Sequence, residues 1–188
     1  MKLASKVKIV EQYFEYSPPL HVYGSVKVLM NEVPEKYLVG IKKIVLTNSA
    51  SLRSSYKGKY WAGNRRIRPA DSKGIYWNGY VFLVMDHIFR EYPEMLLLLP
   101  IVKTYTIGEV FYHEIGHHIH KCDQPGYRDN KEAVAEAWKE KLLTAFFRKR
   151  YWYLAGVFRL YAKFIHPVVF KATGTSRDEP FKCESGST

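Results

Sequence analysis

Apolar residues in the first half of the chain are grouped in short runs that are typical of β-strands. Residues 7–16 and Ile41–Thr47 are rich in β-branched and aromatic side chains, and each predicts a strand, although a short helix over 7–16 is not excluded. Residues 75–77 and 80–85 are two further β-rich pieces on either side of Asn78-Gly79, a dipeptide that favours a two-residue hairpin turn. The first half of the chain therefore predicts a small sheet that contains a hairpin.

The second half of the chain has apolar residues three and four positions apart, which is the spacing of amphipathic helices. Asn130 is a residue that starts helices, whereas Gly40 and Pro167 are residues that end them. The predicted helices of this half are Val102–Lys121, residues 130–150 and Tyr151–Ile165. The first half adds two predicted helical segments, Val22–Met30 and a turn or two over residues 33–39 before Gly40.

Two segments predict irregular structure. Residues 49–74 are rich in Ser, Lys, Arg and Gly and predict a basic excursion with one short strand near Tyr56–Trp61. Residues 123–129 contain a Pro-Gly pair and predict a loop. Strands and helices are mixed in the first half, and only helices follow. This order predicts a single α+β domain over residues 1–171 and a mobile tail over 172–188.

The chain is strongly basic, with 29 Lys and Arg against 18 Asp and Glu and a net charge of +11 over 188 residues. Such a charge favours acidic partners, which include nucleic acid, an anionic membrane surface or an acidic substrate. A protein whose charge is spread evenly over its surface is the alternative. The length suits one domain, and we expect a monomer.

The basic excursion concentrates this charge. Its cations are interleaved with Tyr56, Tyr60 and Trp61, and aromatic rings among cations are typical of surfaces that bind single-stranded nucleic acid. A solvated loop near a cleft is the alternative, since no nucleic-acid motif accompanies the pattern. The basic residues are Arg53, Lys57, Lys59, Arg65, Arg66, Arg68 and Lys73.

Cysteine content and hydropathy indicate an intracellular setting. Cys122 and Cys183 are too few for a disulfide framework and predict two reduced thiols or one bridge. The start of the chain has charge but no apolar run behind it, so it predicts no secretory signal. The longest uncharged apolar runs, residues 95–102 and 151–158, are far too short to span a bilayer. The cytoplasm is the expected location.

The strongest chemical signal is His113-Glu114-Ile115-Gly116-His117. Residues four apart on a helix share a face, so His113 and His117 can present two imidazoles to one ion. Glu114 lies beside that face, where it can take a proton from a bound water molecule. Zinc suits imidazole ligands and can activate water at an open position, although cobalt or manganese can occupy such a site.

A second acidic motif follows at residues 132–136. Glu132 and Glu136 share one helical face, and the alanines beside them allow close approach to another helix. One carboxylate would complete a site of two histidines and one glutamate, and the other would accept a hydrogen bond from a ligand histidine. The alternative is a solvated face on which Lys131 or Lys139 pairs with these glutamates. Asp123 is a poorer third ligand, because the turn before it lacks glycine.

The sequence HEIGHH followed by EAVAEAW resembles the gluzincin metallopeptidases, and the short chain is similar to the minigluzincins. The resemblance implies a zincin-like fold, with a small sheet and the active-site helix above a helical lower half. It implies that His113, His117 and Glu132 hold zinc, that Glu114 is the general base, and that Glu136 supports His113. Most gluzincins have Asp at the position of Glu136.

The resemblance also implies features around the zinc. In zincins a strand beside the active-site helix holds extended substrate, and residues 80–86 are the matching segment. A His or Tyr beyond the glutamate helix steadies the oxyanion, and a C-terminal segment can shut a minigluzincin by occupying the zinc. Asp178, Glu179 and Cys183 are the tail residues that would serve. The candidates for the oxyanion role are Tyr127, Tyr151, Tyr153 and His166.

These patterns together predict a zinc-dependent endopeptidase that hydrolyses peptide bonds in a peptide or protein substrate. Two alternatives stay open. The first is a zinc-bearing binding protein, for example for nucleic acid, with a structural or vestigial site. The second is a regulatory or toxin peptidase with a single target protein. His118 and His120 are expected on the surface or near the ligands, but not on the metal, because residue 118 points away from the metal face.

Overall fold

The computed structural model describes residues 7–18, 21–56, 60–62, 65–67, 72–123 and 130–154. The chain divides into two compact units, Met1–Phe146 and Phe147–Thr188. Every residue of the candidate site lies in the first unit. Most of the second unit lies outside the described residues, so the predicted boundaries of the domain and of the tail stay predictions.

A four-stranded mixed sheet forms the centre of the first unit, in the order β1-β2-β6-β5. Strands β1 (Lys8–Gln12), β2 (Lys43–Thr47) and β6 (Tyr80–Val84) are parallel to one another, and β5 (Gly74–Trp77) is antiparallel to β6. All four coincide with predicted strand segments, and the fold is the mixed type of α and β structure that the element order indicated.

Helix α1 (Val22–Glu32) connects the parallel strands β1 and β2, as a parallel pair requires. Its buried residues Val22, Val26 and Leu29 recur at helical spacing and form one apolar face. A 3₁₀ turn at Glu35–Tyr37 follows, and Gly40 then adopts a φ of 89°, which only glycine tolerates readily. The predicted helix, turn and stop are all confirmed.

The two faces of the sheet are covered by different helices. Helix α2 (Ser49–Tyr56) contributes Leu52 to a buried cluster with Val45, Phe82 and Val84 on one face. Successive side chains of a strand point to opposite faces of the sheet, so the residues next to Val45, Phe82 and Val84 in the strands face the other side. On that side α5 (Pro100–Asp123) contacts β5 and β6. Burying each such side chain contributes about 1.5–3 kcal/mol, so these two layers hold the sheet.

The β5–β6 hairpin is the predicted one, because Asn78 and Gly79 both adopt positive φ, at 47° and 83°. The position of β6 in the sheet also differs from the prediction for the strand that would hold a substrate. Residues 80–86 were expected to border the cleft, but β6 is paired with a neighbour on each side. Among the described strands, β5 is the edge strand of the sheet beside α5, since a two-residue turn adds it outside β6.

The excursion over 49–74 is more regular than the sequence indicated. One short strand near Tyr56–Trp61 was expected, but the structure has α2 and then a separate hairpin of β3 (Tyr60–Ala62) and β4 (Arg65–Ile67). The start of α2 explains the difference, because its Ser49 N–H donates to both carboxylate oxygens of Asp86, at 3.0 and 3.1 Å. A cap so distant in the chain leaves no local signal.

The second half is helical, as predicted. Short helices α3 (Met85–Phe89) and α4 (Glu94–Leu97), which were not predicted, lead into α5, and α6 (Lys131–Arg150) follows. The Asn130 carbonyl accepts the first helical hydrogen bond of α6 from Val134. No helix among the described residues is both long and apolar enough to cross a bilayer. Beyond a 3₁₀ turn at residues 152–154, the expected C-terminal helix and tail lie outside the described residues.

Candidate metal centre

Helix α5 is fixed in place by its buried face. Phe111, Tyr112 and Ile115 are fully buried, and the Tyr112 hydroxyl donates a 3.1 Å hydrogen bond to the Leu29 carbonyl of α1. Because these residues hold one side of the helix against the fold, the side chains at 113 and 117 lie on the partly exposed side. The two imidazole rings are 4.8 Å apart between centroids and perpendicular to each other.

Glycine at position 116 brings α6 against α5. A Cβ at Gly116 would lie 2.7 Å from both the Cα and the carbonyl oxygen of Ala135, closer than any side chain tolerates. The two helices therefore touch backbone to backbone at this point. Tyr37 and Trp138, with ring centroids 4.8 Å apart, fix the outer side of α6. The close approach that the alanines around Glu132 predicted is confirmed, and it brings Glu132 over the two histidines.

Three of the predicted ligands converge. The Glu132 Oε2 atom lies 3.4 Å from His113 Nε2 and 3.6 Å from His117 Nε2, and one ligand atom from each residue lies within 4.8 Å of the others. An ion bound tetrahedrally at about 2.0–2.1 Å keeps its ligand atoms about 3.3 Å apart. The two separations that involve Glu132 are therefore close to those of a tetrahedral site, and three protein ligands would leave a fourth position open on a small cation.

The charge states of the site match this use. Burial lowers the pKa of His117, which favours the neutral imidazole that binds metals. Glu132, whose side chain is 81% exposed, lies next to the two imidazoles, and no ion pair among the described residues joins it to a lysine. Within the part of the chain that the structure describes, this is the one group of three such side chains that meets the distance requirement.

Glu136 lies where the sequence placed it, on the far side of His113. Its Oε2 atom is 3.4 Å from His113 Nδ1, and its Oε1 atom accepts a hydrogen bond from Lys139. The Lys139 ammonium, with His113 as a smaller cause, lowers the pKa of Glu136 and keeps it ionised. A carboxylate at Nδ1 favours the tautomer that leaves Nε2 free for a metal. The lysine pairing considered as an alternative is thus present together with the histidine contact.

Glu114 is the most deeply buried acid of the site, at 6% exposure. Burial, followed by the nearby charge of Glu132, raises its pKa to about 8, and a hydrogen bond from the Tyr76 N–H partly opposes the rise. Gly74 makes room for it, since a Cβ there would lie 2.7 Å from Glu114 Oε1. A cation at the site would favour the ionised carboxylate, because opposite charges attract.

The next histidine, His118, connects the site to the sheet. Its Nε2–H donates to the Val39 carbonyl at 2.9 Å, so Nδ1 accepts from the Tyr76 hydroxyl at 2.8 Å. Burial lowers the pKa of His118, which keeps it neutral. His118 and His120 are both buried, which excludes the surface position, one of the two alternatives expected for them; the group of three ligands among the described residues contains neither.

Sequence reasoning overlooked three residues around the ligands, Gly74, Tyr76 and Gly116, and considered Lys139 only as a surface partner of the glutamates. The glycine inside the HEIGH motif was the one readable signal among the three, since glycine within a helix usually marks a close contact. Tyr76 acts through partners that are set by packing.

Several expected site features lie elsewhere or outside the description. Tyr127 and His166 fall outside the described residues, as do Cys183 and the rest of the tail. Tyr151 and Tyr153 belong to the second unit. The oxyanion role therefore stays unassigned.

Comparison of the chain with protein-family models, with curated proteins and with solved structures finds no match. The resemblance to gluzincins thus rests on the HEIGH motif and the glutamate helix alone. Function has to be argued from the chemistry of the site.

Proposed function

We propose that the protein is a zinc-dependent endopeptidase of the gluzincin type. The observation that carries the proposal is the convergence of His113, His117 and Glu132 beside a buried Glu114. A metal that only stabilises the fold needs its three ligands but has no use for a buried acid such as Glu114 beside them. An acid that is buried, yet close enough to the ligands to be affected by the charge of Glu132, is an arrangement suited to a hydrolytic metal site.

The donor set suits zinc, since two imidazole nitrogens and one carboxylate oxygen are ligands that zinc prefers, and the oxygen lies 3.4 and 3.6 Å from the two nitrogens. When bound there, zinc would supply Lewis acidity to a carbonyl oxygen and lower the pKa of a water molecule. The remaining steps belong to the side chains. His113, His117 and Glu132 hold the ion, and Glu136 orients His113 through its Nδ1 atom.

Glu114 moves the proton. Its carboxylate accepts a proton from the attacking water and then gives it to the leaving amine, which makes it base and acid in turn. Burial raises the pKa of Glu114 and so favours the form that holds the proton for the second step, whereas a cation at the site favours the ionised form that the first step needs. The Tyr76 N–H holds this carboxylate in place while the proton is transferred.

An extended substrate is proposed to lie along β5. The Val84 N–H donates to the Lys73 carbonyl at 2.9 Å, and main-chain groups alternate in direction along a strand. Gly74 and Tyr76 therefore direct their main-chain groups away from β6. The Gly74 N–H and C=O and the Tyr76 carbonyl can pair with a peptide in an extended conformation, the β-augmentation mode of recognition, while the Tyr76 N–H stays bonded to Glu114. Tyr76 would then contact both the general base and the substrate strand.

Two related functions differ from this one in their partners. A peptidase with a single target protein would share the whole site, and would be silent on mixed peptides but active on its target. A zinc-bearing protein that binds nucleic acid through residues 53–73 would show salt-sensitive binding and no hydrolysis that depends on Glu114. The burial of Glu114 favours the enzyme. Removing a carboxylate from water destabilises the fold, and a chemical role gives a reason for keeping the acid there.

The test compares wild type with Glu114→Gln on a mixed peptide library at equal, measured zinc content. The substitution keeps the shape of the side chain, so we expect unchanged zinc content and a loss of turnover of about 10²–10⁴-fold. Glu35→Gln, at an exposed residue of the 3₁₀ turn, is the control and should retain full activity. A Glu114→Gln protein with wild-type turnover would refute the mechanism.

A further inference from the structure

Glu136 uses its two carboxylate oxygens in two directions. Oε2 faces His113 Nδ1 at 3.4 Å, and Oε1 accepts a hydrogen bond from Lys139, one turn further along α6. The Lys139 side chain is only 15% exposed, whereas that of Glu136 is 51% exposed. The more exposed side chain, that of Glu136, thus lies between two less exposed ones, those of His113 and Lys139.

A glutamate in this position needs such a restraint. Compared with an aspartate it has one more rotatable bond, and an exposed carboxylate that is free to change rotamer spends less time against the imidazole. A surface ion pair three residues apart on a helix adds little to stability. The importance of the lysine therefore lies in where it holds the carboxylate.

We propose that Lys139 is a positioning residue of the metal centre: it holds Glu136 against His113 Nδ1 and so keeps His113 Nε2 turned toward Glu132 and the metal. The inference rests on the proposed metal centre. It also explains how the chain can use glutamate where gluzincins have aspartate.

The proposal predicts that removing Lys139 weakens zinc binding, although the removal of a positive charge would ordinarily strengthen it. If Lys139 acted only through its charge, its removal would strengthen cation binding, because like charges repel. If it acts by positioning Glu136, its removal weakens binding, because the histidine loses a restrained partner. The direction of the change in zinc affinity therefore separates the two roles.

The first experiment measures the zinc dissociation constant of the folded protein by competition with a chromophoric chelator. We expect Lys139→Met to bind zinc about tenfold more weakly, the lower end of the range for groups that support a ligand. Lys139→Arg keeps a cation at the same place and should restore most of the affinity. Lys141→Met is the matched control, because Lys141 lies over the Trp138 ring rather than on Glu136 and its removal changes the charge equally.

A second measurement does not depend on bound metal. Long-range ¹⁵N–¹H spectra of the metal-free protein at alkaline pH report the tautomer of His113. Glu132 Oε2 faces Nε2 at the same 3.4 Å at which Glu136 Oε2 faces Nδ1, so we expect a change in proportion: a larger Nδ1–H share in wild type and in Lys139→Arg than in Lys139→Met. A merely structural lysine would leave the tautomer unchanged.

A double-mutant cycle completes the test. In a Glu136→Ala background the lysine has nothing to position, so adding Lys139→Met should no longer weaken zinc binding. Unchanged or tighter binding by the single variant Lys139→Met, or equal weakening in the two backgrounds, overturns the proposal. Wild-type protein that binds no zinc refutes the proposed function instead, and the tautomer measurement then still decides whether Lys139 positions His113 through Glu136.

Discussion

Glu114→Gln should stabilise the metal-free protein at neutral pH while it destroys activity. The pKa of Glu114 is raised by burial from its ordinary 4.5 to about 8, so the folded state binds the proton more tightly than the unfolded state does. The stability that comes from this proton is complete below the unfolded pKa of 4.5. It is lost as the pH rises toward about 8. Glutamine resembles the protonated acid at every pH, so the variant keeps the stability that the wild type loses as the pH rises.

The magnitude follows from the shift. Each pH unit between the two pKa values is worth about 1.4 kcal/mol, so the free energy of unfolding of wild type should fall relative to Glu114→Gln by about 3 kcal/mol at pH 7. The difference should level off at about 5 kcal/mol above pH 8. Because Glu114 is only 6% exposed, water screens little of this effect.

The assay is urea unfolding of both proteins in the presence of a chelator, followed by tryptophan fluorescence at steps between about pH 5 and 8.5. Burial lowers the pKa values of His117 and His118, and their contribution runs the other way, since it is lost as the pH falls. Both histidines are present in both proteins, so they cancel from the difference. Glu35→Gln serves as the exposed control and should follow wild type at every pH.

Parallel stability curves for wild type and Glu114→Gln would refute the reasoning, because they would mean that Glu114 has the same pKa in the folded and unfolded states. Saturating zinc should reduce the difference, since a cation beside the carboxylate favours its ionised form. A difference that grows toward low pH would mean that the sign of the shift is wrong.

Three further predictions concern packing and metal. Gly116→Ala should lower the free energy of unfolding by about 1–3 kcal/mol and weaken zinc binding, since the new Cβ meets the backbone of α6. Gly24→Ala, which has open space around it, is the control and should be neutral or stabilising in the same urea titration. Tyr76→Phe removes the hydrogen bond to His118 but keeps its own N–H, so it should lower stability by about 1–2 kcal/mol and leave the zinc dissociation constant unchanged. Zinc at about 100 times its dissociation constant should add about 3 kcal/mol to the free energy of unfolding, and both chelator and Glu132→Ala should abolish the gain.

The sequence alone determined the features that depend on local spacing. His113 and His117 lie on one helical face because they are four residues apart, and Glu132 and Glu136 share a face for the same reason. The Asn78-Gly79 turn also follows from local chemistry, since both residues adopt positive φ. Each of these features is decided by neighbours in the chain, so it can be predicted without the fold.

Contacts between distant segments decided the rest. Asp86 caps α2 from 37 residues away, and this is why the helix was not predicted from its own polar sequence. The parallel pairing of β2 with β6 put β6 inside the sheet, and so made β5 the edge strand. The burial that raises the pKa of Glu114 and the two-sided restraint of Glu136 by His113 and Lys139 arise only when α5 packs on the sheet and α6 meets Gly116. Helical spacing chooses the face on which a side chain lies, but its solvent exposure and its partners depend on which elements pack against that face, and those contacts bring together residues far apart in the sequence.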